Sequence, residues 1–326
     1  MLAKDDIRLA YRYILGRDPE SDAVVDEHLR HVTDLASLRA RCLSAPEFFK
    51  TNAREILRFF AVAEAQRRHG AVQYDCGPAE LDALFAHIRN VWSRLGQVEP
   101  HFSVFSSPNF KPEHLDANLA AFYRSGVGET ELLKSELSGL GLRSGGYRHV
   151  VELGSGVGRV TRYLADLGQQ TTGFDISQPH LDLARIYIDR EKILNVTLRH
   201  VAEPETVIFP SCDLFYSRIV LQHNPPPVQN FLIRRALAAL QPGGVAVFQC
   251  PTYIQDYEFS VSTYLAGMHK IDNQELHALP QKAIFSAIAE AGCELLSVYR
   301  DNSIPRINQV SNRFVARKRD VEESSQ

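Results

Sequence analysis

From about residue 147 onward the chain alternates short apolar runs with longer segments whose apolar residues recur every three or four positions. The two periods differ because side chains alternate faces along a strand but return to one face every 3.6 residues along a helix. Val150 and Val151 leading into Glu152, and Thr171 to Ile176, predict strands; Leu295–Tyr299 and Arg313–Ala316 predict two more near the end. Between them, Val160, Leu164 and Leu167 mark one helical stripe, and Ile233, Leu237 and Leu240 a second. Ile284, Ile288 and Ala291 mark a third, with Gly292 placed to end the helix. Strands alternating with helices predict a parallel sheet with helices packed against it.

The first part of the chain has only the helical period. Up to about Arg68, Ile7, Ala10, Tyr11 and Ile14 share a helix face, with Gly16 as a stop. Asp18–Ser21 reads as a turn, and Ser44-Ala45-Pro46-Glu47 as a cap before a proline-started helix. From Pro78 to Leu142 a second helical region is interrupted by Pro100, Pro108 and Pro112. Its aromatic middle holds Trp92, His101, Phe102, Phe105, Phe110, Phe122 and Tyr123. Taken singly these residues predict core packing; as a group they are placed to shape a ligand site. Ser144-Gly145-Gly146 reads as a hinge, Pro251–Pro280 as a polar insertion outside the core, and the tail after Asp320 as disordered.

The most informative stretch is Val150–Thr161, where Gly154, Gly156 and Gly158 separate a strand from a helical run. Glycine lets a backbone turn sharply and lie against a ligand, and the following helix offers unpaired N–H groups to it. A dinucleotide fingerprint needs its last glycine where this chain has Arg159. Asp175 ends the next strand, where a carboxylate accepts both hydroxyls of a ribose. Three glycines in G-x-G-x-G order behind an acid resemble motif I of the class I S-adenosylmethionine-dependent methyltransferases. Leu198–Glu203 and Asp213–Ser217 resemble that family's third and fourth strands, and Leu221–Pro227 its following turn. Gln241-Pro242-Gly243-Gly244 before Val245–Phe248 resembles the entry to its fifth strand.

The resemblance implies an α/β fold: a Rossmann-like seven-stranded sheet, mostly parallel with the last strand antiparallel, preceded by helical regions. It divides the chain into a helical module (1–70), a helical cap (71–145), the methyltransferase domain (146–319) and a tail (320–326). The implied cofactor is S-adenosyl-L-methionine, whose reactive methyl must be aligned with a nucleophile. Gly154, Ser155 and Gly156 would pass under its methionine half and ribose, and Gly158 would let the helix pack closely. Glu152 would hold the ammonium group, Arg159 either the carboxylate or solvent, and Asp175 with Ile176 the ribose side. Ala202 and Glu203 fall on the adenine side, and Ser217 near the methionine. His223 follows the fourth strand and is the candidate general base, titrating near neutrality, or else a loop-packing residue. His101 and His277 are its rivals.

Composition narrows the alternatives. Lys and Arg number 36 against 39 Asp and Glu, a net charge of −3 that opposes a general nucleic-acid grip. The 5 cysteines are scattered, as reduced thiols are, and no C-x-x-C occurs. No apolar run is long enough to span a bilayer and the start lacks the apolar core of a signal peptide, so a cytoplasmic protein is expected. The absence of a Gly-Lys pair excludes a P-loop, and Ser155 directly after Gly154 does not make a nucleophile elbow. A nicotinamide oxidoreductase and a cofactor-binding scaffold without turnover remain as rival readings. Tyr11, Leu15–Pro19 and Ser44–Phe49 resemble a small helical module that recurs in bacterial surface and glycan-related proteins. That company implies a docking role toward a protein partner, and a small-molecule or glycan acceptor methylated on oxygen.

Overall fold

A computed structural model describes residues 2–48, 70–270, 273–301 and 309–320. The chain divides into two compact units, Met1–Arg68 and His69–Gln326. The first is built from helices Lys4–Ala10, Asp22–His31 and Leu35–Ser44 around a small core that includes Ile7, Tyr11, Leu15, Val25 and Leu38. The Ser21 hydroxyl accepts from the Val24 N–H and Asp34 accepts from the Ser37 N–H, capping the second and third helices. Most of the helix expected after Pro46 falls outside the described residues, as does the tail from Val321.

The second unit contains a seven-stranded sheet. Its strands are β1 (Tyr147–Leu153), β2 (Gly168–Asp175), β3 (Val196–His200), β4 (Cys212–Ser217), β5 (Leu240–Ile254), β6 (Cys293–Arg300) and β7 (Gln309–Lys318). They lie in the order β3-β2-β1-β4-β5-β7-β6. All neighbours are parallel except β7, which runs antiparallel to both β5 and β6. Strand alternation sorts the residues into two cores. Val151, Leu153, Phe215, Ala246 and Phe248 face helices Pro78–Val98, Pro226–Ala238 and Gln281–Glu290. Val150, Leu214, Tyr216, Val245 and Val247 face the other way, with Leu133 and Leu137 of helix Gly126–Gly139. The chain reverses direction of progress across the sheet between β1 and β4, the place where open α/β sheets form a ligand crevice.

Several local expectations are corrected. The stripe Val160–Leu167 is one α-helical turn, Thr161–Leu164, followed by a 3-10 turn, because the glycine loop uses up the preceding residues. Pro100, Pro108 and Pro112 each open a helix, as suits a residue with no N–H to lose there. The Pro251–Pro280 segment is not outside the core: Phe259, Val261, Ala278 and Leu279 are buried, and β5 itself continues to Ile254. Among the described residues no helix is long and apolar enough to cross a membrane, and no group of three His, Cys, Asp or Glu is placed to hold a metal.

One carboxylate fixes the crevice from below. Asp213, at the start of β4, accepts from the N–H groups of Arg148 (2.9 Å) and His149 (2.7 Å) on β1 and from the Arg143 guanidinium (2.5 Å). Burial works against its charge, but these donors hold its carboxyl below the usual range. A depressed carboxylate stabilises the fold above its unfolded pKa of about 4 and loses that contribution as pH falls through its folded value. Asp213→Asn should therefore cost about 1–3 kcal/mol at neutral pH, with the gap from wild type closing as pH falls below about 4. Urea unfolding at several pH values checks this; a gap independent of pH would remove the charge from the account.

Candidate functional site

The β1 end, the glycine loop and the β2 and β4 ends form one wall of a cavity of about 530 Å³. The opposite wall comes from Phe85, Ile88 and Trp92 on the Pro78–Val98 helix, from Ser103–Ser106, and from Gln274–Leu276.

The loop is shaped by hydrogen bonds to β2. The N–H groups of Gly154 and Ser155 both donate to the Phe174 carbonyl, at 2.7 and 3.0 Å. Gly156 N–H donates to one oxygen of Asp175 and Ser177 N–H to the other, each at 2.8 Å. Gly154 and Gly156 both have positive φ, +84° and +52°, which disfavours other residues. Space forbids them too: a Cβ on Gly154 would collide with Val220, and one on Gly156 would stand 2.8 Å from a methyl of Val104. This is a cradle into which only backbone fits. Gly158 lies off the cavity, where a Cβ would touch Ala184 at 3.4 Å, so its place is helix packing.

Charges are concentrated at the β1–β4 end. Glu152 is 4% exposed, and burial raises its carboxyl to about 8, partly opposed by a 2.5 Å hydrogen bond from the Thr161 hydroxyl. Arg159 is buried as well, which lowers its pKa; it donates to the Ser125 hydroxyl at 3.2 Å and lies 3.8 Å from Glu129. Its Nε has no hydrogen-bond partner. Glu129 also takes a hydrogen bond from Arg218, which reaches Asp301 at 3.2 Å. Burial disfavours the Arg218 charge, but Glu129 and Asp301 more than restore it.

The structure brings Glu152, Gly154, Ser155, Gly156, Arg159, Asp175, Ile176 and His223 onto this cavity. It does not bring Ala202, Glu203 or Ser217. The Ala202 carbonyl accepts from Arg89, Glu203 is exposed, and the Ser217 hydroxyl turns away to donate to the Leu153 carbonyl at 3.1 Å. Val201 and Arg218, each next in sequence to an expected residue, line the cavity in their place. Gln222, within the Leu221–Pro227 turn, lines it too, as do Glu129 and Glu275, which nothing local in the sequence marks. Of the aromatic group, Trp92 and Phe105 reach the cavity, while Phe110, Phe122 and Tyr123 pack against Tyr187 and Ile188.

The near-neutral titration expected of His223 is corrected. Burial pushes its imidazole down to about 4, the Glu275 carbonyl only partly opposing this. Both ring nitrogens are engaged: Nδ1 is 2.8 Å from the Glu275 carbonyl and Nε2 is 3.1 Å from the Gln222 amide nitrogen. Neither rival is better placed. His101 packs edge-on to Phe122 and is pushed down to about 4 by burial, and His277 stands behind Glu275 with its Nδ1 bonded to Tyr257 at 2.8 Å.

Comparison with known proteins gives the domain its kind. A family described as a methyltransferase domain matches residues 150–244. No curated protein matches the chain. Among solved structures, magnesium protoporphyrin IX methyltransferase from Synechocystis PCC 6803, with bound S-adenosylhomocysteine, is similar at 14% identity and a TM-score of 0.49, covering 72% of this chain and 99% of that one. The N-methyltransferase NodS from Bradyrhizobium japonicum WM9 is similar at 16% identity and a TM-score of 0.46, covering 70% and 98%.

The raised Glu152 has a consequence for stability. Its contribution is complete below the unfolded carboxyl pKa of about 4.3 and is lost as pH rises through the folded value. Glu152→Gln should therefore gain on wild type as pH rises, by up to a few kcal/mol at about pH 9. Thermal melts at pH 6 and 9 measure it; equal melting differences at both would mean that the carboxyl is not held neutral.

Proposed function

We propose, for a chain whose residues 150–244 form a class I S-adenosylmethionine-dependent methyltransferase domain, that the enzyme methylates a hydroxyl oxygen of a small-molecule or glycan acceptor. The observation that carries the reading is the cradle of Gly154 and Gly156 closed by the Asp175 carboxylate, with buried charges of both signs beyond it. When bound, the cofactor supplies an electrophilic methyl group on a sulfonium.

This chain's residues then bind and orient. Each Asp175 oxygen holds one backbone N–H and keeps further lone pairs for the two ribose hydroxyls. Ile176 and Val201 offer apolar surface for the adenine, in place of Ala202 and Glu203. Glu152 suits the methionine ammonium, and the unpartnered Nε of Arg159 suits its carboxylate. The acceptor side is left to Trp92, Phe105, His223 and Glu275. Alignment inside the cavity carries the transfer, and His223, engaged on both nitrogens, orients rather than removes a proton. The resemblance of the first unit to a module of surface and glycan-related proteins supports an enzyme that meets a protein partner or a glycan-bearing acceptor.

Calorimetry with S-adenosylhomocysteine tests the cofactor half. Asp175→Ala should lose about 1.5–3 kcal/mol of affinity or more, since loop and ribose lose the same partner. A folded variant that binds as wild type does would sink the assignment. Binding near pH 7 should also release close to one proton, because the cofactor ammonium draws Glu152 down from about 8. Two buffers of different ionisation enthalpy measure that release, and Glu152→Gln should abolish it. Transfer of labelled methyl to fractions of a cell extract then separates an enzyme from a binder.

A further inference from the structure

We propose that Gln249 is the positioning residue of the cavity's acceptor end: through the Gln222 amide it keeps Nε2 of His223 free of a proton, while the Glu275 carbonyl holds the proton on Nδ1, so that His223 brackets the Gln274–Leu276 segment in one state. The proposal rests on the methyltransferase reading for what the cavity receives, and on nothing but hydrogen-bond polarity for the wiring.

Gln249 sits on β5, buried and away from the cavity wall. Its Oε1 stands 2.8 Å from the backbone nitrogen of Ile219. A backbone N–H can only donate, so that atom must be the amide oxygen. The Gln249 nitrogen then donates to Gln222 Oε1 at 3.0 Å and to the Ser311 hydroxyl at 2.6 Å. With its oxygen so engaged, Gln222 presents its own NH₂ to His223 Nε2 at 3.1 Å. An amide nitrogen offers no lone pair, so Nε2 must be bare and the proton must sit on Nδ1. There it donates to the Glu275 carbonyl, 2.8 Å away, which can only accept. A group of fixed polarity stands at each end of the relay, and every link between has one orientation.

Two more observations place this relay at the reaction site. Ile219 lines the cavity with φ +58°, a left-handed conformation rare for a β-branched residue, and Gln249 receives the N–H that this conformation turns away from the strand. The segment closing the cavity is tied down around Gln222 and His223: the His277 N–H donates to the Gln222 carbonyl at 2.8 Å, and Gln274 donates to the Ser103 carbonyl at 3.2 Å. His223 is then a tautomer-locked bracket. Its side faces Trp92, with ring centroids 5.3 Å apart, and its one lone pair is occupied.

The test uses full-length, cofactor-free protein labelled with nitrogen-15 at histidine, at pH 7, with the His223 signals identified by their loss in His223→Asn. Wild type should show a protonated Nδ1 and a bare Nε2. Gln249→Glu keeps an acceptor for Ile219 but cannot donate to Gln222, so the Gln222 amide should turn over and Nε2 should become protonated. Amide hydrogen exchange at residues 274–277 should quicken in the same variant. A wild-type Nε2 that already carries the proton overturns the proposal without any variant, and so does an unchanged ring in folded Gln249→Glu. Failure of wild type to bind S-adenosylhomocysteine would instead sink the functional reading and leave the ring state as measured.

Discussion

The site depends on one carboxylate that does structural work before any ligand arrives. Asp175 stands at the end of β2, yet the groups it holds are the N–H of Gly156, from the loop after β1, and the N–H of Ser177, which begins the next helix. Two consecutive crossovers are thereby tied to one side chain. The Phe174 carbonyl beside it takes the two preceding N–H groups of the loop. Together they hold a glycine-lined backbone in a conformation that side chains would forbid both by φ and by space. The cradle is thus preformed, which removes an ordering cost from binding.

The sheet and its cleft were largely legible in the sequence, because the signals there are backbone signals. The glycine spacing and the acid after Phe174 each constrain local conformation and stand where expected, while the proline-glycine run expected before β5 falls inside it, since the strand already begins at Leu240. Element ends were less legible. In the connection after β3 it is Val201, next to the expected Ala202, that lines the cavity. Ser217 was one position off for a related reason: its side chain follows the strand's alternation and bonds to Leu153, leaving Arg218 to face the cavity. Glu129 and Glu275 carry no local signal, since they reach the cavity through tertiary packing from elements far apart in sequence, whereas Gln222 lies within the Leu221–Pro227 turn.

Buried polar groups account for the other departure. The Pro251–Pro280 segment reads as surface because it is rich in polar residues, yet its Tyr264 and His277 close on Glu275, with Tyr257 bonded to His277 behind them. Glu275 stays ionised below its usual range: burial opposes this, and hydrogen bonds from His277 and Tyr264 overcome it. Polarity in sequence predicts exposure only when the partners are absent, and here each polar group arrives with one. The same rule bears on His223, for which the sequence leaves a general base and a loop-packing residue both open. A histidine at a cleft rim suggests proton transfer, but the neighbours that consume both of its nitrogens come from β4's connection and from residue 275.

Trp92 is the chain's one tryptophan, and it faces the cavity between His223 and His180, with ring centroids 5.3 and 6.2 Å away. Burial keeps both imidazoles below their usual pKa, so near neutrality neither brings a cation close to the indole. Tryptophan emission from this protein, excited beyond the absorption of its 12 tyrosines, therefore comes from a single side chain at a single address. The spectrum of the unlabelled chain is a dedicated optical channel into the cavity, free of the averaging that several tryptophans would impose.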